Sequence, residues 1–382
     1  MTVNERRFFA RIAALAAGAI LLCGVGARSC RAASYARGVN VAGLGFGTSV
    51  LPGVVGTNYT ANSPHTYRYF ARKGLTLVRI SFSWERLQPT LRGPLDPGYL
   101  HLIEENVAWA EQCGDKPILD LHNYGRYSID EGGKYNNYII DNVYDGVVKV
   151  TTGDLCDVWV RLSDVFKGDK KLYAYDLMNE PHDMGTAHWH AISQALVSSI
   201  RRGGDDHLIY VEGNDWASAE NWPEANGPKA WIVDPAHNVK YEAHEYFDHD
   251  GSGVYDWSYD RELAADPGLP QIGARRLAPF AAWCRANHVG GYVGEFGVPN
   301  TDPRWLVVLN NFYDALDAAG FDGTLWAAGE AWGSYPLSVQ PTNDFKTDAE
   351  QMPVMLKHLG TASVSARPAP RRRKARLRGV MR

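Results

Sequence analysis

The sequence predicts a single (β/α)8 barrel, a TIM barrel, with a cleft at the C-terminal ends of its strands. Three observations lead there. Short β-rich runs alternate with longer amphipathic stretches, the runs number eight, and the polar residues able to do chemistry gather where the runs end. The first run covers residues 38–44. The second, 75–81, precedes a helical pattern at 100–113, and the third, 117–121, precedes one at 154–166. The fourth, 172–177, is followed by a helix at 188–201, and the fifth and sixth lie at 208–212 and 239–244. A helix at 274–287 leads to the seventh run, 291–294, and a helix at 302–319 leads to the eighth, 321–326. Parallel strands joined by right-handed helical crossovers close naturally at eight. A doubly wound open sheet is the runner-up, but no Gly-rich phosphate loop follows the first run.

Composition and charge narrow the function. With 382 residues, 45% of them hydrophobic and 21% charged, the chain is globular rather than disordered or collagen-like. Its one long apolar run, from Ile12 to about Ala27, is too short to span a bilayer comfortably, so a polytopic membrane protein is excluded. The net charge of −4 hides unlike parts: residues 1–33 carry +4, residues 361–382 carry +8, and the body carries −16. An acidic body repels phosphate backbones, so nucleic acid is not an expected partner.

Residues 1–33 read as an export signal: Arg6 and Arg7, an apolar core, then small residues. Arg6-Arg7-Phe8-Phe9 resembles a twin-arginine signal but lacks the preceding Ser or Thr, which leaves both export routes open. Secretion or a periplasmic location, with no stable membrane insertion after signal removal, follows as the expectation. Removal would leave Cys113, Cys156 and Cys284, enough for one disulfide at most and matching no zinc pattern. Residues 34–360 are expected to form the barrel, and 361–382, rich in Ala, Pro and Arg, a disordered basic tail. A monomer is expected.

The strand ends carry the chemistry. The second ends in Arg79-Ile80-Ser81, the third in His122-Asn123-Tyr124, and the fourth in Asn179-Glu180-Pro181. The sixth ends in His244-Glu245-Tyr246, the seventh in Gly294-Glu295-Phe296-Gly297, and the eighth in Trp326. This ordered set resembles family 5 glycoside hydrolases across nearly all of residues 38–335. The segments 175–183, 213–219 and 246–253 look most like the family's endo-β-1,4-glucanase subfamily.

The resemblance implies a retaining hydrolase of β-linked glucan, needing no cofactor or metal, with Glu180 as acid/base and Glu295 as nucleophile. Cleaving an acetal requires one carboxyl to protonate the leaving oxygen and another to meet the positive anomeric carbon. The carboxyls of a retaining pair stand about 5 to 5.5 Å apart, whereas an inverting pair leaves roughly 6.5 to 9.5 Å for a water. In this scheme Arg79 keeps Glu295 ionised, and the closeness of the two glutamates keeps Glu180 protonated. Asn179 binds the sugar 2-hydroxyl, Tyr246 donates to Glu295, His244 tunes Glu180, His122 and Asn123 bind sugar hydroxyls, and Trp326 offers a stacking face.

Tyr124, Trp216 and Trp332, just beyond strands three, five and eight, are candidate sugar platforms, whereas Trp84, Trp109, Trp159 and Trp283 read as packing residues. His182, His188, His190 and His249 lack metal-ligand spacing. Glu330 stands in a loop where the family often has an aromatic. Two alternatives stay open: a related β-glycanase acting on mannan, xyloglucan or mixed-linkage glucan, and a glycan-binding protein that does not cleave.

Overall fold

The computed structural model describes residues 35–360; the expected export signal and basic tail lie outside the described residues. Eight parallel strands close into a barrel: β1 (Arg37–Val41), β2 (Leu77–Phe82), β3 (Lys116–Leu121), β4 (Ala174–Asp176), β5 (Leu208–Glu212), β6 (Val239–His244), β7 (Gly290–Glu295) and β8 (Asp322–Ala328). Each strand pairs with its sequence neighbours, and β1 pairs with β8 to close the ring. All eight predicted strands are present.

Each strand is followed by a helix: α1 (Pro64–Arg72), α2 (Pro97–Cys113), α3 (Thr152–Phe166), α4 (Thr186–Arg202), the short α5 (Trp222–Asn226), α6 (Ile272–Asn287), α7 (Trp305–Ala319) and the short α8 (Met352–Lys357). Local chemistry sets their ends. Asp96 caps α2 by accepting from the Tyr99 amide, Pro97 opens it, and Gly114 closes it at φ 80°. Thr151 and Asp154 form a reciprocal capping box on α3. The predicted helix at 302–319 begins three residues late, at Trp305. The sequence reading missed α1, whose buried face is only Thr66, Tyr67 and Phe70, and the two short helices. It also missed two hairpins, Arg126–Asp130 with Tyr135–Ile139 and Val143–Tyr144 with Val147–Val148, in the long connection from β3 to α3.

The core has two parts because alternate strand residues face in and out. Outward residues such as Val39, Val78, Leu119, Tyr175, Val211 and Val293 are buried together with helix residues such as Ile103, Trp159, Trp189 and Phe312. A second cluster of Ala36, Leu77, Ile118, Ala174, Leu208, Tyr210 and Tyr292 fills the barrel's N-terminal end. Above that apolar plug the interior turns polar, with Arg79, Asp120, Asp176, Glu212 and Glu242 all buried. No disulfide joins Cys113, Cys156 and Cys284 among the described residues.

Barrel closure leaves no room at Gly38, where a Cβ would lie 1.6 Å from the Leu77 carbonyl oxygen of the neighbouring strand. Gly38→Ala is therefore expected to cost about 3 kcal/mol or more, at the upper end for overpacked interiors. The drop in the urea unfolding midpoint measures it.

Candidate active site

The ladder registers decide which polar residues meet. Asn40 pairs with Arg79, Asp120 with Asp176, Glu212 with Glu242, and His244 with Glu295. Cross-ladder partners in a parallel sheet share a face, so these side chains converge on the barrel axis. Arg79 stands at their centre, fully buried. Its Nε donates to Asp176 at 2.7 Å, its Nη1 to Glu295 at 2.8 Å and Asn40 at 3.0 Å, and its Nη2 to Asn179 at 2.8 Å and Glu212 at 3.0 Å. Asp120 lies 3.1 Å and Glu242 3.5 Å from the same guanidinium.

Above this layer the two predicted catalytic glutamates come together. Oxygen atoms of Glu180 and Glu295 and a ring nitrogen of His244 all lie within 4.8 Å of one another. Glu295, the last residue of β7, accepts from Arg79 on Oε1 and from the Tyr246 hydroxyl on Oε2 at 3.0 Å. Glu180 lies beyond β4 with φ 44°, and its Oε1 is 2.8 Å from His244 Nδ1. Its backbone N–H donates to Glu212 Oε2 at 2.6 Å.

The electrostatics follow from burying many acids around few cations. Burial opposes the charged form of His244, but the charges of Glu212 and Glu295 and the bond to Glu180 outweigh it and hold the imidazole pKa well above its ordinary value. His122 behaves alike: burial is overcome by Asp120, 2.8 Å from its Nδ1. Asp176 is pushed well up, first by burial and then by Glu242, and Glu242 rises to about 7, first by burial and then by Glu212. Glu295 is also held above the usual glutamate value. Burial is the largest cause, and Glu180 adds to it against the pull of His244, Arg79 and His122. Arg79 thus does favour the ionised Glu295, as expected, but it does not set the balance, because its one charge is shared among five carboxylates.

Two aromatic groups flank the glutamates. On one side the His122 and Trp326 rings stack at 5.6 Å and 13°, and Trp326 and Trp332 meet edge to face. Phe46 and Tyr335 complete that group against Trp332. On the other side a groove of about 550 Å³ is lined by Glu180, Trp216, Asn221, Glu245, Tyr246 and Ser252, among others. Trp216, 47% exposed, lies flat on His182 at 4.1 Å. Tyr124, 37% exposed, meets both His122 and His182 edge to face.

Two residues, Arg79 and Asn123, take tasks other than those expected, and Glu330, given none, has a structural one. Arg79 was placed among the substrate-binding residues, yet it has no exposed surface and spends its donors on protein acceptors. Asn123 was expected to bind sugar, but its Oδ1 accepts from the Trp84 amide and its Nδ2 donates to Glu85 and the Arg126 carbonyl, so it fastens loops together. Glu330 accepts from the Ser63 amide, the Ser63 hydroxyl and the Thr66 hydroxyl, which anchors the start of α1. Asn179 is buried with Nδ2 unpartnered within the protein.

The sequence reading missed Asp120, Asp176, Glu212 and Glu242. Their signal was present: a carboxylate inside a β-rich run is costly to bury without a partner. It also missed the support that His182 gives Trp216. Of three trios among the described residues with the spacing to share a cation, Asp314–Asp317–His358 lies away from this site and two lie in it, Glu180–His244–Glu295 and Glu212–Glu242–His244. In both, Arg79 and His244 already supply positive charge at ion-pair distance. A second cavity of about 600 Å³, between the loops after β1, β2 and β3, contains neither glutamate, and its Glu85 and Arg86 are engaged by Ser128 and by three loop carbonyls.

Comparison with known proteins places this architecture. The family profile described as Cellulase (glycosyl hydrolase family 5) matches residues 35–331. A probable endo-beta-1,4-glucanase B of Neosartorya fischeri is 31% identical over 335 residues, 85% of this chain and 94% of the relative. Pseudomonas stutzeri endoglucanase Cel5A, solved in complex with cellobiose, is 36% identical with a TM-score of 0.74, covering 85% of this chain and 92% of that one. The endo-beta-1,4-glucanase Xac0029 of Xanthomonas axonopodis pv. citri is 33% identical with a TM-score of 0.74, covering 85% and 98%.

The buried acids make stability depend on pH. Glu245, raised to about 8 chiefly by burial, keeps its proton in the folded chain long after the unfolded chain loses it near 4.5. The folded state then binds more protons, so stability falls as pH rises across that interval. Glu242 acts in the same direction, as do His122 and His244, whose raised values stabilise the charged form and lose that contribution with rising pH. Tm is expected to be lower at pH 8 than at pH 5, and Glu245→Gln to flatten the decline in a calorimetric pH series.

Proposed function

The chain belongs to the cellulase family, glycosyl hydrolase family 5, and we propose that it is a retaining endo-β-1,4-glucanase with Glu180 as acid/base and Glu295 as nucleophile. The observation that carries this reading is the approach of one carboxylate oxygen of Glu180 to within 4.8 Å of one of Glu295 across the barrel mouth. Two carboxyls that approach this closely suit a pair that forms and then hydrolyses a covalent intermediate.

In the first step Glu295 attacks the anomeric carbon while the glycosidic bond breaks and the proton of Glu180 passes to the leaving oxygen. A glycosyl ester forms on Glu295. In the second, a water gives its proton to Glu180 and attacks the same carbon, releasing Glu295 with configuration retained. Arg79 and Tyr246 orient Glu295, and His244 orients Glu180. The unpartnered Nδ2 of Asn179 is the donor for the sugar 2-hydroxyl. The leaving chain takes the groove of Trp216, because that groove is lined by Glu180 and not Glu295. The sugar undergoing attack lies against Trp326 and His122, and the chain before it against Trp332.

Among the described residues no helix is long and apolar enough to cross a membrane. We further read residues 1–33 as an export signal, 34–360 as the catalytic barrel and 361–382 as a solvated basic extension, so that a monomer meets its polymer outside the cytoplasm. The order of basic, apolar and small residues at the start supports this.

Glu180→Gln and Glu295→Gln are each expected to lower hydrolysis of a soluble cellulose derivative by about 10²-fold or more while leaving the circular dichroism spectrum unchanged, as loss of acid–base or nucleophilic function requires. Unchanged turnover in either overturns its role. Because Glu295 is held above the usual glutamate value, kcat/KM falls on acidification at a pH above that of an ordinary glutamate.

A further inference from the structure

Glu212 touches neither exposed groove nor solvent, yet it is bonded to the acid/base. It ends β5, is fully buried, and has its backbone carbonyl fixed by Trp189 Nε1 at 2.7 Å. Its two carboxylate oxygens have different partners. Oε2 accepts the backbone N–H of Glu180 at 2.6 Å, and Oε1 accepts from Arg79 at 3.0 Å and stands 3.4 Å from His244 Nε2. The opposite ring nitrogen of that histidine meets the Glu180 carboxylate at 2.8 Å.

Glu180 needs such support. It follows β4 outside any ladder and holds φ 44°, in the left-handed region that a residue with a Cβ occupies only when its surroundings demand it. The neighbouring Asn179 is tied on both sides, its N–H to the Leu121 carbonyl and its carbonyl to the Tyr124 N–H. The bond from the Glu180 N–H goes to Glu212.

We propose that Glu212 is a positioning residue for the acid/base, gripping Glu180 by its backbone amide directly and by its carboxyl through His244, and tying both to the Arg79 that holds Glu295. This rests on the reading of Glu180 as the acid/base. A glutamine at 212 keeps the shape but presents an amide N–H to a site that offers donors, so one of the two grips is lost.

The test uses leaving groups. A dinitrophenyl leaving group departs without a proton, whereas a sugar alkoxide requires one. Glu212→Gln is expected to lower kcat on cellopentaose by on the order of 10²-fold, the scale of a misplaced catalytic group, with KM little changed. Its kcat/KM on dinitrophenyl cellobioside, which reports attack by Glu295, is expected to stay within about tenfold of the parent, and kcat on that substrate to be restored by azide as the glycosyl azide forms. Glu212→Asp, too short to hold both partners, is expected to show the same split and carries the test if the glutamine variant does not fold. Equal losses on both substrates, no loss on either, or loss of the native circular dichroism spectrum in both variants overturns the proposal. Glu180→Gln is the control: if it shows no dependence on leaving group, the acid/base reading itself fails, whereas a split there but not at Glu212 rejects only the positioning role.

Discussion

Arg79 is the charge around which the site is organised. A guanidinium removed from water carries a large desolvation cost, offset only when every donor finds a good acceptor. Here Asp176, Glu295, Glu212, Asn40 and Asn179 meet its nitrogens within 3.0 Å, and Asp120 and Glu242 lie close behind. The partners come from β1, β3, β4, β5, β6 and β7 or the residues just beyond, so one side chain ties most of the barrel's mouth together. The planar fork of arginine suits this, and a lysine has neither the number nor the direction of donors.

That arrangement has more acid than base. One guanidinium and the imidazoles of His122 and His244 face the buried acids Asp120, Asp176, Glu212, Glu242 and Glu295, and this surplus of acid in a buried interior pushes carboxyls above their ordinary values. Asp176 and Glu242 are displaced upward, and Asp176 Oδ1 with both oxygens of Glu242 accept no hydrogen bond within the protein, Glu242 Oε1 standing at ion-pair distance from Arg79 and His244. Glu295 shares the effect. The cluster that orients Glu295 also makes its ionisation harder, so orientation and charge are set by opposing consequences of the same burial.

The groove above is held by backbone strain and polar fastening more than by regular structure. Tyr124, Glu180, Asp183, Asp215, Trp216 and Ala217 all have positive φ, and all lie in the loops at the barrel mouth. Such conformations persist when neighbours over-determine them. Arg126 from the first hairpin reaches the His182 ring and carbonyl and Asp183 beneath Trp216, while Asn123 joins the loops after β2 and β3. The aromatic faces are thereby fixed before any sugar arrives, which reduces the ordering cost of binding.

The strands and the five long helices were legible because period-two and one-sided apolar patterns are local properties, and the places of Glu180, Glu295, Tyr246 and His244 at strand ends were legible with them, their roles coming from the family resemblance alone. Helix α1 was not: its buried face is only three residues, and its first turn is fastened by Glu330, more than 260 residues away, which accepts from Ser63 and Thr66. Nor was the use of Asn123, whose side chain is consumed by Trp84, Glu85 and Arg126. The sequence by itself determined the barrel and the aromatic supply, since burial and strand alternation act on neighbouring residues, whereas the choice of Glu180 and Glu295 among its many acids came from the family resemblance. Only the tertiary structure decided that five acids share Arg79, that Glu212 holds the Glu180 amide, and that Trp216 rests on His182. Those contacts depend on ladder register and loop backbone angles, which closure of the whole ring sets jointly and no short stretch of chain encodes alone.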